Sequence, residues 1–351
     1  MEDLHCCPKR QWRNSQLDFP PQLPFIGMAV PGSAGSRKWL QCCCWLSACV
    51  VYTACSALFE FFSRIFISQY RFTFPAFIVL CQALLTIVIL QLLKRARLLK
   101  IEPYLLKRGE IFLLPSICFS FHSILIMWAV TASYSTVFMF IRQFTPMASL
   151  ALMQTFNLKK RASSSIGHLV LMVTLCSVLA GARRFNDEAI VYIYGLLNLM
   201  LESMYLILLQ KICEDQNTSV MDVHYTCTIN SCPLLFVYCL LHPGTQQIYM
   251  SGSWTSLIFL GFFSLVLILG CLLKLLICLC TLLSSALMVS MMEVGKTDAL
   301  TLRSIIANKW TFSSPQLTSL LISASGIGIF LYKVSRETNI STRKEALGIQ
   351  R

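Results

Sequence analysis

The residues best equipped for chemistry lie between Ser284 and Arg303, in the run SSALMVSMMEVGKTDALTLR. The run is long enough to cross a bilayer, yet it carries Glu293, Lys296, Asp298 and Arg303. An ionisable side chain in hydrocarbon costs at least ~2.5 kcal/mol, so such residues turn towards a bundle interior or a wet cavity. Steps of three and seven put Glu293, Lys296 and Arg303 near one helical face and turn Asp298 away. A charged stripe kept inside a span suits the movement of a polar solute. Two plainer readings fit the same residues: an exposed re-entrant loop, or a Glu293–Lys296 pair that only neutralises itself.

A second group lies in YSTVFMFIRQFTPMASLALMQTF, where Arg142 stands beside Gln143 and four residues before Pro146. Proline has no N–H for the carbonyl one turn earlier, so it bends a membrane helix and opens it towards a cavity. A permanent guanidinium there suits a phosphate, which it can grip through two parallel hydrogen bonds. It equally suits a structural acid such as Glu202 or Glu293. In VYIYGLLNLMLESMYLILLQK, Asn198 and Glu202 share a face and Tyr205 follows three residues on. These three could meet a sugar or base, or simply bond neighbouring helices. Lys274 stands near the end of its apolar run and is expected to snorkel to the interface.

The elements that must position these residues are membrane helices. Of 351 residues, 56% are hydrophobic and 13% charged, against about 25% charged in soluble domains. The mean hydropathy is +0.66. The pattern predicts ten spans, near 39–62, 74–93, 110–129, 134–156, 165–182, 189–210, 222–241, 255–280, 284–306 and 316–333. Residues 1–38, rich in proline, read as a disordered cytosolic tail, and 334–351 as a cytosolic C-terminal tail. The first span would act as an uncleaved signal anchor.

Basic residues set the orientation. Twenty Lys and Arg fall on the side of the N-terminus and five (Arg64, Arg71, Arg183, Arg184, Lys309) on the other, which puts both termini in the cytosol. The sequons at Asn217 and Asn339 then face the cytosol and stay unglycosylated. The net charge of +13 is dispersed in short clusters between spans, which argues against nucleic acid as a partner. Most of the 17 cysteines lie inside apolar runs and read as free thiols; Cys6, Cys7 and Cys42 to Cys44 are either palmitoylated or unmodified. The sequence lacks the Walker A, GxSxG and HExxH patterns, and its five histidines stand at no ligand spacing. An enzyme, a metal site and a cofactor are therefore not expected.

Scattered but collinear segments over 40–335 carry a resemblance. They are ISQYRFTF, the Arg142 to Pro146 motif, YGLLNLMLESMYLILLQK, Tyr225 with Pro233-Leu234-Leu235, Gly270-Cys271, and CTLLSSALMVSMMEVGK from Cys280 to Lys296. In these the chain resembles the nucleotide-sugar transporters of the drug/metabolite transporter superfamily, relatives of the triose-phosphate translocators, and most of all their UDP-sugar branch. The resemblance implies an all-α integral membrane fold of ten helices in two inverted five-helix repeats, about 39–182 and 189–333. It implies exchange of a cytosolic UDP-sugar for luminal UMP across the Golgi or endoplasmic reticulum membrane, without ATP, and leaves homodimerisation open. Lys296 would face the nucleotide, with Arg142, Gln143, Glu293, Tyr205 and Ser285 as further substrate contacts.

The chain also departs from that pattern. Gln143 stands where the branch often has a second basic residue, Glu293 where it has a small one, and Lys274 where it has an uncharged polar one. Those departures favour a second expectation, a transporter-fold protein without exchange that acts in trafficking or as a partner protein. A carrier for another organic anion is a third.

Overall fold

Each apolar run of the sequence becomes a helix, because in hydrocarbon a chain can satisfy its backbone N–H and C=O groups locally only by helix formation. The computed structural model describes residues 34–72, 74–131, 135–156, 158, 163–181, 188–216, 218–242, 252–307 and 314–346. Its helices are α1 (Ala34–Tyr70), α2 (Pro75–Arg95), α3 (Leu106–Ile111), α4 (Leu113–Thr131), α5 (Ser135–Arg142) and α6 (Thr145–Thr155). They continue as α7 (Ser164–Gly181), α8 (Ala189–Gln216), α9 (Val220–Leu241), α10 (Leu257–Leu283), α11 (Ala286–Ala307) and α12 (Ser314–Ala346). A single 3₁₀ turn, Gly252–Thr255, precedes α10. No strand occurs among the described residues. The readings made on residues 1–33, and on the side chains at Cys42 to Cys44 and both sequon asparagines, fall outside what is described.

Seven helices are long and apolar enough to cross a membrane: Ser47–Tyr70, Ala76–Arg95, Leu113–Thr131, Ser164–Gly181, Ala189–Asp215, Leu257–Leu283 and Ser314–Arg336. The chain is an all-α protein of multi-pass membrane type. Three of the ten expected spans do not meet that standard, each for a physical reason. The run 134–156 is broken into α5 and α6. Helix α9 is long enough but carries Asp222, His224, Asn230 and Pro233, and α11 carries four charges. Helix α12 also runs beyond the predicted span to Ala346, into the stretch expected to be a tail.

The polar residues of α9 and α11 have partners that explain them. Asp222 accepts the N–H of Glu102 at 2.8 Å, and Asn230 accepts from the Tyr104 hydroxyl and donates to the Gly109 carbonyl at 2.7 Å. They tie the loop between α2 and α4 to α9, and Leu99 and Ile101 of that loop pack with Leu90, Met221 and Tyr225. Helix α11 is the central one, touching α1, α6, α7, α8, α10 and α12. A helix surrounded on all sides can keep charges that a lipid-facing helix cannot.

The most extensive packing pairs are α1 with α10, α4 with α8, α2 with α9, and α7 with α12. At one end, Phe66, Phe72, Phe77, Trp254, Phe259 and Phe263 form a continuous aromatic cluster. At the other, a larger apolar core joins α1, α7, α8, α10, α11 and α12. Polar side chains are concentrated between the two. The twelve described cysteines form no disulfide, and eight of them are buried.

Candidate functional site

Proline supplies the first element of the site. Pro146 opens α6 and leaves the Arg142 carbonyl without the N–H it would otherwise accept. The chain bridges the break with tight bonds, Gln143 N–H to Phe140 O and Phe144 N–H to Ile141 O. Arg142 is thereby set at the C-terminal end of α5, where a helix favours positive charge. Its guanidinium donates to both carboxylate oxygens of Glu202 on α8, from Nε at 3.0 Å and from Nη2 at 2.7 Å.

The second element is α11. Glu293 Oε2 lies 2.6 Å from Lys296 Nζ and 3.4 Å from Arg142 Nη2. Helix α1 supplies the rest of the network. Lys296 donates to Ser56 Oγ at 2.7 Å, Ser56 donates to Glu293 Oε1 at 3.0 Å, and the Tyr52 hydroxyl donates to the same oxygen. Glu60 lies 3.8 Å from Lys296 and 2.6 Å from Arg64. Glu202 and Glu293 are 6% and 5% exposed, so both are carboxylates buried against fixed cations.

These side chains wall a cavity of about 950 Å³, its open mouth included. Further lining comes from Gln82 of α2, Phe119 and His122 of α4, Phe138 of α5, and Gly270 and Lys274 of α10. A Cβ on Gly270 would fall 2.0 Å from Gln82 Nε2, so the missing side chain is what lets that amide lie against α10. Three carboxylates and three basic side chains share the wall. A diphosphate entering it meets near-neutral charge unless a carboxylate moves aside or takes a proton.

Of the residues named from the sequence, the structure brings together Arg142, Glu202, Glu293 and Lys296. Gln143, Tyr205 and Ser285 do not line the cavity. Gln143 is buried and turned to α7, where a Cβ on Gly181 would lie 3.0 Å from its Nε2. Tyr205 stacks on Phe119 within the apolar core. Ser285 caps α11, its Oγ accepting from Met288 N–H at 3.2 Å. Arg303 is exposed and leaves the stripe assigned to it. Asp298 does turn from the cavity, but is buried and accepts from Ser177 of α7 and Ser323 of α12. Lys274 does not snorkel; it is 8% exposed and belongs to the cavity wall.

The sequence reading passed over Tyr52, Ser56, Glu60 and His122. A signal for the first three exists: they recur every four residues along α1, a polar stripe on an apolar helix.

No family model matches the chain. Solved structures share its fold. One of them, a crystal structure described only as that of a protein, matches 83% of this chain over 99% of its own length, with a TM-score of 0.57 and 12% identity. Likeness at that identity concerns architecture alone.

Proposed function

We propose that this protein is a solute carrier that exchanges a cytosolic UDP-sugar for luminal UMP across the Golgi or endoplasmic reticulum membrane. The observation that carries the reading is the cavity, lined by basic side chains from α5, α10 and α11, inside a bundle of membrane-type helices. Alternating access would rock two inverted halves, α1–α7 and α8–α12, about that cavity.

The helix pairing supports two such halves. Take the broken pair α5/α6 as one span and number the ten spans in order. Exchange of each span for the one five places away turns the α1–α10 contact into the α4–α8 contact. It returns α2–α9, α7–α12 and α6–α11 to themselves. Most charged cavity residues follow the same exchange: acids on α1 and α8, strong bases on α5 and α11, and His122 and Lys274 on α4 and α10, with Glu293 of α11 lacking a counterpart.

One observation favours a second reading, a transporter fold without exchange that serves trafficking or a partner protein. Glu202 and Glu293 occupy the cations that a diphosphate would need. Uptake of labelled UDP- and GDP-sugars into liposomes preloaded with UMP separates the two. Saturable exchange, abolished in Lys296→Ala, is the expected result. Silence from the folded parent and from Glu293→Gly would favour the second reading.

A further inference from the structure

Lys274 is the cavity cation that no carboxylate among the described residues engages. It sits on α10 one turn after Gly270, with Nζ 5.2 Å from the centre of the Phe119 ring. Its Nζ is buried with no hydrogen-bond partner among the described residues. An ammonium carries three donors and no acceptor. Burying one without acceptors is far costlier than burying a paired one, and a single aromatic face offsets only part of that. His122 lies three residues beyond Phe119 on the same face of α4 and lines the same cavity, 7% exposed. Arg142 and Lys296, in contrast, already hold Glu202 and Glu293. The unmet donor capacity of the cavity is therefore centred on Lys274 of α10.

We propose that Lys274, assisted by His122, is the phosphoryl-binding subsite of this cavity. A phosphoryl oxygen gives the ammonium the acceptors that the protein withholds. The inference deepens the exchanger reading and rests on it for the identity of the solute.

The test is thermal unfolding of the purified full chain in detergent with pyrophosphate, UMP, UDP-sugars or uridine, for the parent and for Lys274→Met, Lys274→Gln and Lys274→Arg. Ligand that binds the folded state raises the midpoint. The parent is expected to gain from the phosphorylated compounds and not from uridine. Lys274→Met and Lys274→Gln should weaken that binding about ten- to hundredfold, the size of a lost charge-assisted hydrogen bond. Their ligand-free midpoints should stay level or rise, because an unpaired buried charge is gone. Lys274→Arg should keep most of the binding. Parent-like binding in both uncharged variants would overturn the inference while leaving the exchanger reading intact. Lys274-dependent binding of pyrophosphate, with no added gain from any uridine nucleotide, would uphold the inference and remove the exchanger reading. A parent that gains from none of these compounds would overturn both.

Discussion

Arg142 and Glu202 form the tightest pair in the cavity, two parallel hydrogen bonds between buried groups. Such a pair contributes little net stability relative to apolar residues, but breaking it leaves a charge uncompensated. Glu202→Gln is expected to lower unfolding stability in detergent by ~3–5 kcal/mol, and the double change Arg142→Met with Glu202→Met to recover most of it. A double-mutant cycle reads this coupling directly. Glu293 stands against both Lys296 and Arg142 and offsets the charge of two cavity cations at once. If that offset limits anion entry, Glu293→Gly raises affinity for UMP at least several-fold, measured by equilibrium binding.

At the scale of elements, two devices position the site. The break at Pro146 ends α5 on Arg142 and begins α6 in a new direction, so the guanidinium meets α8 and α11. Asp298 fastens α11 to both α7 and α12 through two serine hydroxyls. A central helix held only by apolar contacts could slide or rotate, whereas a carboxylate with two donors sets its register. Asp298→Leu orphans both hydroxyls and should cost roughly 1–3 kcal/mol for each. Asp298→Asn keeps one acceptor and should cost less. Unfolding midpoints of the two variants, compared with uptake by the same preparations, separate loss of stability from loss of register.

At the scale of the molecule, the excess of basic residues on one side predicts cytosolic termini. In microsomes, the sequons at Asn217 and Asn339 are expected to remain unglycosylated. A sequon introduced between Gly244 and Gly252, in the connection on the opposite side, is expected to gain a glycan seen as a gel shift. Glycosylation at Asn217 would reverse the orientation and, with it, the assignment of cytosolic and luminal substrates. Residues from α1, α2, α4, α5, α8, α10 and α11 share the wall of one cavity.

Composition and periodicity by themselves determined the membrane class and the positions of the seven apolar helices, and marked Pro146 as a bend and Arg142, Glu202, Glu293 and Lys296 as charges turned from lipid. These were legible because a bilayer penalises every unpaired charge, so each one within an apolar run announces an interior. Which charges meet was a tertiary matter. Helical spacing is blind to neighbours: it grouped Arg303 with Lys296, although Arg303 lies near the end of α11 and is exposed. It also assigned Lys274 to the interface, although α4 and α10 pack to bury it over Phe119. Tyr52, Ser56 and Glu60 gained their meaning only when α1 packed on α11, because a hydroxyl or a lone acid on one helix becomes part of a site only through the partner another helix brings.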